Sequence, residues 1–235
     1  MSISEKLHEV KERVAQAALL AGVDPEDIIL VGATKTNDAS RVREAIAAGL
    51  KVCGENRVQE MLEKKAQAAY EGAELHFIGH LQKNKVKNVV GLVSLIHSVD
   101  SHALMDEIEK QAAKLGLVQD VLLEINIGRE AAKSGFFVEA LPAALEKAAQ
   151  LPHIRVRGLM AVPPICAEGE ENRPYFLTMK QLFIDNKGKK YDNVSMDFLS
   201  MGMSDDYEDA ICCGSTMIRV GTAIFGARNY AKLHQ

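Results

Sequence analysis

The residues best suited to chemistry are one lysine, one arginine and two turns rich in small residues. Lys35 closes the run LVGATK, where five small or apolar residues end in a long amine. A lysine partly withdrawn from water is a usable nucleophile, and the chemistry that wants such an amine is Schiff-base formation with a carbonyl. Residues 199–226 read LSMGMSDDYEDAICCGSTMIRVGTAIFG. Apolar runs there give way twice to small residues and a helix start, at Gly202 and Ser204 and again at Gly221 and Thr222. Such junctions set backbone N–H groups side by side and bind phosphate. Two bland readings stand beside these: a lysine that snorkels out at a rim, and glycines that only turn the chain.

Taken together, Lys35 and the two turns fit an aldehyde that carries a phosphate. Pyridoxal 5'-phosphate (PLP) answers that description, and so do sugar phosphates bound as in class I aldolases. Arg219, two residues before Gly221, helps to separate them. A carboxylate beside a pyridine nitrogen keeps it protonated and strengthens the electron sink, whereas an arginine donates to an unprotonated nitrogen and weakens it. The competing reading of Arg219 is a strand-end salt bridge with a carboxylate such as Asp197.

These positions need a scaffold that gathers strand ends. Apolar residues at three- and four-residue spacing predict a helix over 3–21, with Ser4 as its cap and Gly22 as its stop. Short apolar runs predict strands at 28–33, 51–53, 75–78, 95–99, 120–127, 155–160, 193–200 and 217–220. Helices are expected at 39–48, 58–69, 102–115, 137–149, 174–185 and 205–213. A further helical segment opens after Leu81, and the true start of 137–149 lies near Leu141 because of Pro142. Loops fill 128–135 and the acidic patch 168–171, and the tail 227–235 packs loosely. Strands alternating with helices predict an α/β fold, a single closed (β/α)8 TIM barrel with an extra N-terminal helix, spanning 1–235 as one domain. A doubly wound open sheet is disfavoured because no GxGxxG follows the first strand.

Barrels keep their chemistry at the C-terminal ends of the strands. That list here is Lys35, Asn56, His80, Ser98, Asn126, Met160, Ser200 and Arg219. Asn56 is a candidate neighbour of a bound aldehyde, or a turn residue closing its own loop. His80 either relays a proton or fixes a loop. His76 and His80 are four apart, but in a strand and its exit that spacing does not converge on a metal. Lys133 and Arg129 read as a solvated face, and the methionines as packing.

Composition narrows the classes of function. The 235 residues carry a formal net charge of −4 with 26% charged side chains. No basic block reaches nucleic-acid density. No run approaches the length of a membrane span, and the N-terminus MSISEKLHEVKERV has no apolar leader core. Cys53, Cys166, Cys212 and Cys213 form no CxxC pair, so they read as small apolar residues in a reducing compartment. The expectation is a cytoplasmic protein without nucleic-acid or membrane partners.

The sequence resembles the YggS/PROSC family of pyridoxal phosphate homeostasis proteins, which is related to the N-terminal barrel of alanine racemase. The resemblance rests on VGATKT around Lys35, GENRVQE at 54–60, LHFIGHLQKNK at 75–85, IHSVDS at 96–101 and EINIGREAAKSGF at 124–136. RGLMAVPP at 157–164, RPYF at 173–176 and the whole of 199–226 extend it over nearly the entire chain. It implies a single barrel holding PLP as a Schiff base on Lys35. Ser204 and the backbone at Gly221 and Thr222 would hold the phosphate, and Arg219 would face the pyridine nitrogen. Asn56, His80, Ser200 and Met201 would line the pocket. It further implies a PLP carrier or buffer rather than an enzyme, a monomer, with PLP-dependent apo-enzymes as partners. The racemases take a second base from a tyrosine in another domain, for which this sequence has no evident counterpart. The alternative is a small PLP-dependent amino-acid racemase.

Overall fold

In the computed structural model, which describes residues 1–164, 172–188 and 191–227, eight parallel strands close into a barrel in chain order. They are β1 (Ile29–Ala33), β2 (Val52–Glu55), β3 (Glu74–Phe77), β4 (Leu95–Val99), β5 (Gln119–Ile125), β6 (Ile154–Ala161), β7 (Val194–Ser200) and β8 (Met217–Val220). The seam is closed by β1 on β8, with Val31 opposite Arg219 and Gly32 opposite Val220. The helices are α1 (Ile3–Leu20), α2 (Ala39–Ala47), α3 (Val58–Ala66), α4 (His102–Leu115), α5 (Leu141–Ala148), α6 (Arg173–Lys187), α7 (Tyr207–Cys212) and α8 (Thr222–Phe225). Cys166, the acidic patch 168–171 and the tail beyond 227 lie outside the described residues.

The expected elements are present, with two local differences and one expected boundary met. Ser2, not Ser4, caps α1: its hydroxyl accepts from the Glu5 N–H while Glu5 reaches back to the Ser2 N–H. That reciprocal pair satisfies two orphan donors at once, which Ser4 inside the first turn could not do. After β3 the helical segment is a 3-10 helix, Lys83–Asn88, rather than an α-helix. Pro142 sits in the first turn of α5, where its missing N–H costs nothing.

Strand periodicity divides the apolar side chains into two sets. One set, including Leu199, Met201, Ile218 and Val220, packs between the strands and the helices. The other is a smaller cluster on the barrel axis, formed by Val31, Ala33, Val52, Ile78, Leu95, Leu122, Met160 and Met217. The same alternation turns His76, His97, Ser200 and Arg219 inward, while Lys35 stands in the turn after β1. Cys53 belongs to the outer set, and burial pushes its thiol up to about 12.

Candidate functional site

Lys35 follows β1 and is half-buried. The next residue, Thr36, has φ 63, a left-handed conformation that costs a β-branched side chain energy and so requires external support. The support comes from α3. The Lys64 ammonium donates to the Thr34 carbonyl, to Glu55 Oε1 and to Glu60 Oε1, each at 2.7 Å. Glu60 also accepts from the Thr36 N–H. The backbone is therefore held on both sides of Lys35. Glu55 is fully buried and takes further bonds from the Thr34 hydroxyl at 2.6 Å and the Tyr70 hydroxyl at 2.9 Å. Burial and the Glu55 charge push the Tyr70 hydroxyl far above its ordinary range. Of this clamp the sequence reading saw only the GENRVQE motif. The usable signal was the Glu60 and Lys64 pair at i,i+4, joined to a glutamate at the end of an apolar strand.

Arg219 is 5% exposed and lies at an inward position of β8. Its Nη1 donates to Ser200 Oγ at 2.6 Å and its Nη2 to the Ala161 carbonyl at 2.9 Å. Both acceptors are neutral. The expected alternative partner, Asp197, is engaged by Arg157 at 2.6 Å instead. Burial brings the Arg219 guanidinium down to about 10, opposed by Glu124 and Asp206, so it stays charged at neutral pH. Glu124, on β5, is pushed up to about 7 by burial and by Asp100, against the pull of Arg219.

The two small-residue turns meet. Ser204 Oγ accepts from the Gly221 N–H at 3.1 Å and lies 3.5 Å from the Ala223 N. Gly202 has φ 93, and a Cβ there would lie 2.6 Å from that of Ala210, so the first turn requires glycine. The Gly202 carbonyl accepts from the Arg219 N–H at 3.0 Å, which ties the turn to the strand that carries the arginine.

Asn56 is half-buried, and its Oδ1 is buried with no hydrogen-bond partner. It faces Gly79, where a Cβ would lie 2.3 Å from the Asn56 carbonyl oxygen. His80 stands at the rim with its side chain 58% exposed, bonded to Ser134 at 3.0 Å and near Asp100 at 3.2 Å. Its contacts tie down the 128–135 loop. Asn126 holds the same loop from within, through the Glu130 and Lys133 carbonyls. Lys133 is not simply solvated, for it donates to the Pro163 carbonyl at 3.0 Å. Ser200 is fully buried on the axis. The Met201 side chain packs in the outer layer, so it leaves only its backbone to the site.

This geometry can be set beside known proteins. A model of the alanine racemase N-terminal domain matches residues 7–229. A pyridoxal phosphate homeostasis protein from Aquifex aeolicus is 46% identical over 98% of this chain and 100% of its own length. The one from Escherichia coli K12 is 40% identical over 98% of each. The chain belongs to the pyridoxal phosphate homeostasis protein family. Among solved structures, PipY of Synechococcus elongatus PCC7942, a structure with PLP bound, is 31% identical with a TM-score of 0.83, over 96% of this chain and 100% of PipY. Diaminopimelate decarboxylase of M. jannaschii shares the fold alone, at 15% identity and a TM-score of 0.75. Members of the homeostasis family thus match this chain end to end, and the decarboxylase extends beyond it, with 60% of its length covered.

Proposed function

We propose that this chain, as one barrel domain over residues 1–235, binds PLP and serves its homeostasis as a carrier without robust turnover. The observation that carries the reading is the register between β1 and β8. Val31 lies opposite Arg219 and Gly32 opposite Val220, so β1 runs on past Arg219 toward the mouth before the turn that carries Lys35. A flat ring bound between that turn and β8 would meet the amine at one end and the guanidinium at the other. The fit is tested by the polar atoms left over. Arg219 uses two of its five N–H donors on neutral acceptors, and Asn56 Oδ1 lacks a partner.

PLP, when bound, supplies an aldehyde that a primary amine takes up reversibly and an electron-withdrawing ring. Lys35 offers the amine, with its backbone fixed by Lys64 and Glu60. Arg219 offers N–H donors to the pyridine nitrogen and no proton acceptor, which leaves that nitrogen unprotonated and the electron sink weak. Ser204 with the backbone at Gly221 and Thr222 seats the phosphate. Asn56 would border the ring, Ser200 would act on it only through Arg219, Met201 would contribute backbone, and His80 would hold the rim through the 128–135 loop. Relatives named for PLP homeostasis and the PipY complex support the ligand. No helix among the described residues is long and apolar enough to cross a membrane. A cytoplasmic monomer that hands PLP to apo-enzymes completes the proposal.

The test is spectroscopic. Purified protein incubated with PLP should acquire a visible absorption band, and Lys35→Ala should lack it. A wild-type protein that stays colourless and retains no PLP on gel filtration would sink the reading. A slow amino-acid racemase is the second reading, favoured by Glu124, whose carboxyl titrates near neutrality inside the barrel. Rapid exchange of Cα hydrogen from L-amino acids in D₂O, abolished by Glu124→Gln, would establish it. Exchange no faster than with free PLP dismisses it.

A further inference from the structure

The axis of a (β/α)8 barrel is ordinarily filled by layers of branched aliphatic side chains. Here part of it is polar. Ser200 Oγ, which accepts from Arg219, lies 3.0 Å from His97 Nδ1. His97 Nε2 lies 3.0 Å from His76 Nδ1. His76 Nε2 in turn faces Glu74 Oε2 at 3.6 Å. Ser200 and His97 are fully buried and His76 is 4% exposed. The Glu74 side chain is 67% exposed. It lines, with His76, Asp120, Arg157 and Phe198, a cavity of about 530 Å³ at the N-terminal end of the strands. A column of hydrogen-bonding groups therefore runs from the mouth of the barrel to its opposite end.

Its direction is imposed from the Arg219 end, and a carboxylate near the other end agrees with it. Arginine can only donate and a carboxylate can only accept. Ser200 Oγ receives Arg219, and its single proton has His97 Nδ1 as its acceptor. If His97 donated from Nδ1 instead, the Ser200 proton would be buried without a partner, which is costly. His97 therefore carries its proton on Nε2 and donates to His76 Nδ1. His76 carries its own on Nε2, toward Glu74. Burial holds His76 down to about 4 and His97 well below its ordinary value, so both rings are neutral at physiological pH, as such a column requires.

We propose that Ser200, His97 and His76 are positioning residues for Arg219, which lock its guanidinium in one orientation through a one-way hydrogen-bond column that ends at His76, with the Glu74 carboxylate 3.6 Å beyond it. Two Arg219 donors are fixed on Ser200 and Ala161, and the remaining N–H groups are thereby held toward the ligand. The proposal rests on the PLP reading, since the pyridine nitrogen is what the held donors meet. A guanidinium that cannot swing keeps that nitrogen hydrogen-bonded and unprotonated.

The full chain, loaded with PLP labelled with 15N in the ring, tests this by NMR. The ring-nitrogen resonance should report an unprotonated, hydrogen-bonded nitrogen in the wild type. Ser200→Ala and His97→Gln, which remove the link between Ser200 and His97, should move that resonance and weaken PLP binding about tenfold. His97→Asn, whose amide oxygen can stand near the Nδ1 position, should restore the resonance toward wild type. An unchanged resonance in both Ser200→Ala and His97→Gln overturns the proposal. So does failure of His97→Asn to differ from His97→Gln.

A second measurement needs no variant. In 15N-histidine-labelled wild-type protein without PLP, His76 and His97 should both be Nε2–H tautomers at neutral pH. An Nδ1–H tautomer or a charged ring at either position breaks the column and overturns the proposal, even where a variant does not fold. Correct tautomers in a protein that takes up no PLP leave the column standing and overturn the PLP reading, and with it the role assigned to Arg219.

Discussion

The Lys64 ammonium donates to the Thr34 carbonyl at 2.7 Å, one residue before Lys35. The same nitrogen pairs with Glu55, a carboxylate that is entirely out of water. Removing one partner of such a buried pair leaves an uncompensated charge, at a typical cost of about 3–5 kcal/mol. Lys64→Met should lower stability by that order in urea unfolding and also weaken PLP retention, because Thr34 and Thr36 lose their tether. Lys64→Met combined with Glu55→Gln should recover part of the stability. Stability and PLP retention both unchanged in Lys64→Met would show that α3 does not fix Lys35.

Ser204 reaches across from the β7 turn to the N–H of Gly221 at the end of β8. If these groups seat a phosphate, Ser204→Ala should weaken PLP about tenfold, the loss of one hydrogen bond, with little change in unfolding. Inorganic phosphate should compete with PLP in the wild type and compete less well in the variant. Competition of equal strength in both would place the phosphate elsewhere.

A half-buried carboxyl and a buried imidazole should give the fold opposite pH dependences. Glu124 is raised to about 7 in the folded chain. It favours the folded state most when protonated, and that contribution is lost as pH rises from its ordinary 4.5 through 7. Glu124→Gln should therefore gain on the wild type across that interval and run parallel above it. His76 is depressed to about 4, so its contribution is present above 6.5 and lost as pH falls from 6.5 through 4. His76→Gln should gain on the wild type in that interval. Urea midpoints measured every half pH unit check both signs.

Gly79 lies against the Asn56 backbone, closer than any side chain permits. Gly79→Ala should displace the 54–60 loop and cost about 1–3 kcal/mol, the usual range for overpacking. The same change should weaken PLP binding if Asn56 borders the ring. Loss of stability with unaltered PLP affinity would remove Asn56 from the site.

The order of strands and helices was legible because each apolar run is short, bounded by glycine or a charged residue, and followed by an amphipathic segment. Lys35 and Arg219 stood out in the sequence because a long cation at the end of an apolar strand is costly unless something pairs with it, and Ser204 and Gly221 because small residues before a helix start expose backbone N–H groups. Ser2 was missed as a cap although Ser2 and Glu5 stand at the S-x-x-E spacing of a capping box, a signal the sequence carries. Lys64 was hidden among the other charges of α3, and only the fold shows that its ammonium points inward to Glu55. His76 was weighed only as a metal ligand and His97 was not singled out, because nothing in a single strand distinguishes a core histidine from a connected one. Their pairing joins β3 to β4, and the link to Ser200 crosses the axis to β7.

The polar column constrains how this sequence can drift. Arg219, Ser200, His97 and His76 come from β8, β7, β4 and β3, far apart in the chain, yet each is the hydrogen-bonding partner of the next. An aliphatic residue at any one of them strands its neighbour without a partner inside the barrel. Four aliphatic residues together would restore an ordinary barrel interior. The intermediate steps are the costly ones, so the four positions are expected to change together. A descendant that gives up Arg219 is expected to have exchanged both histidines as well.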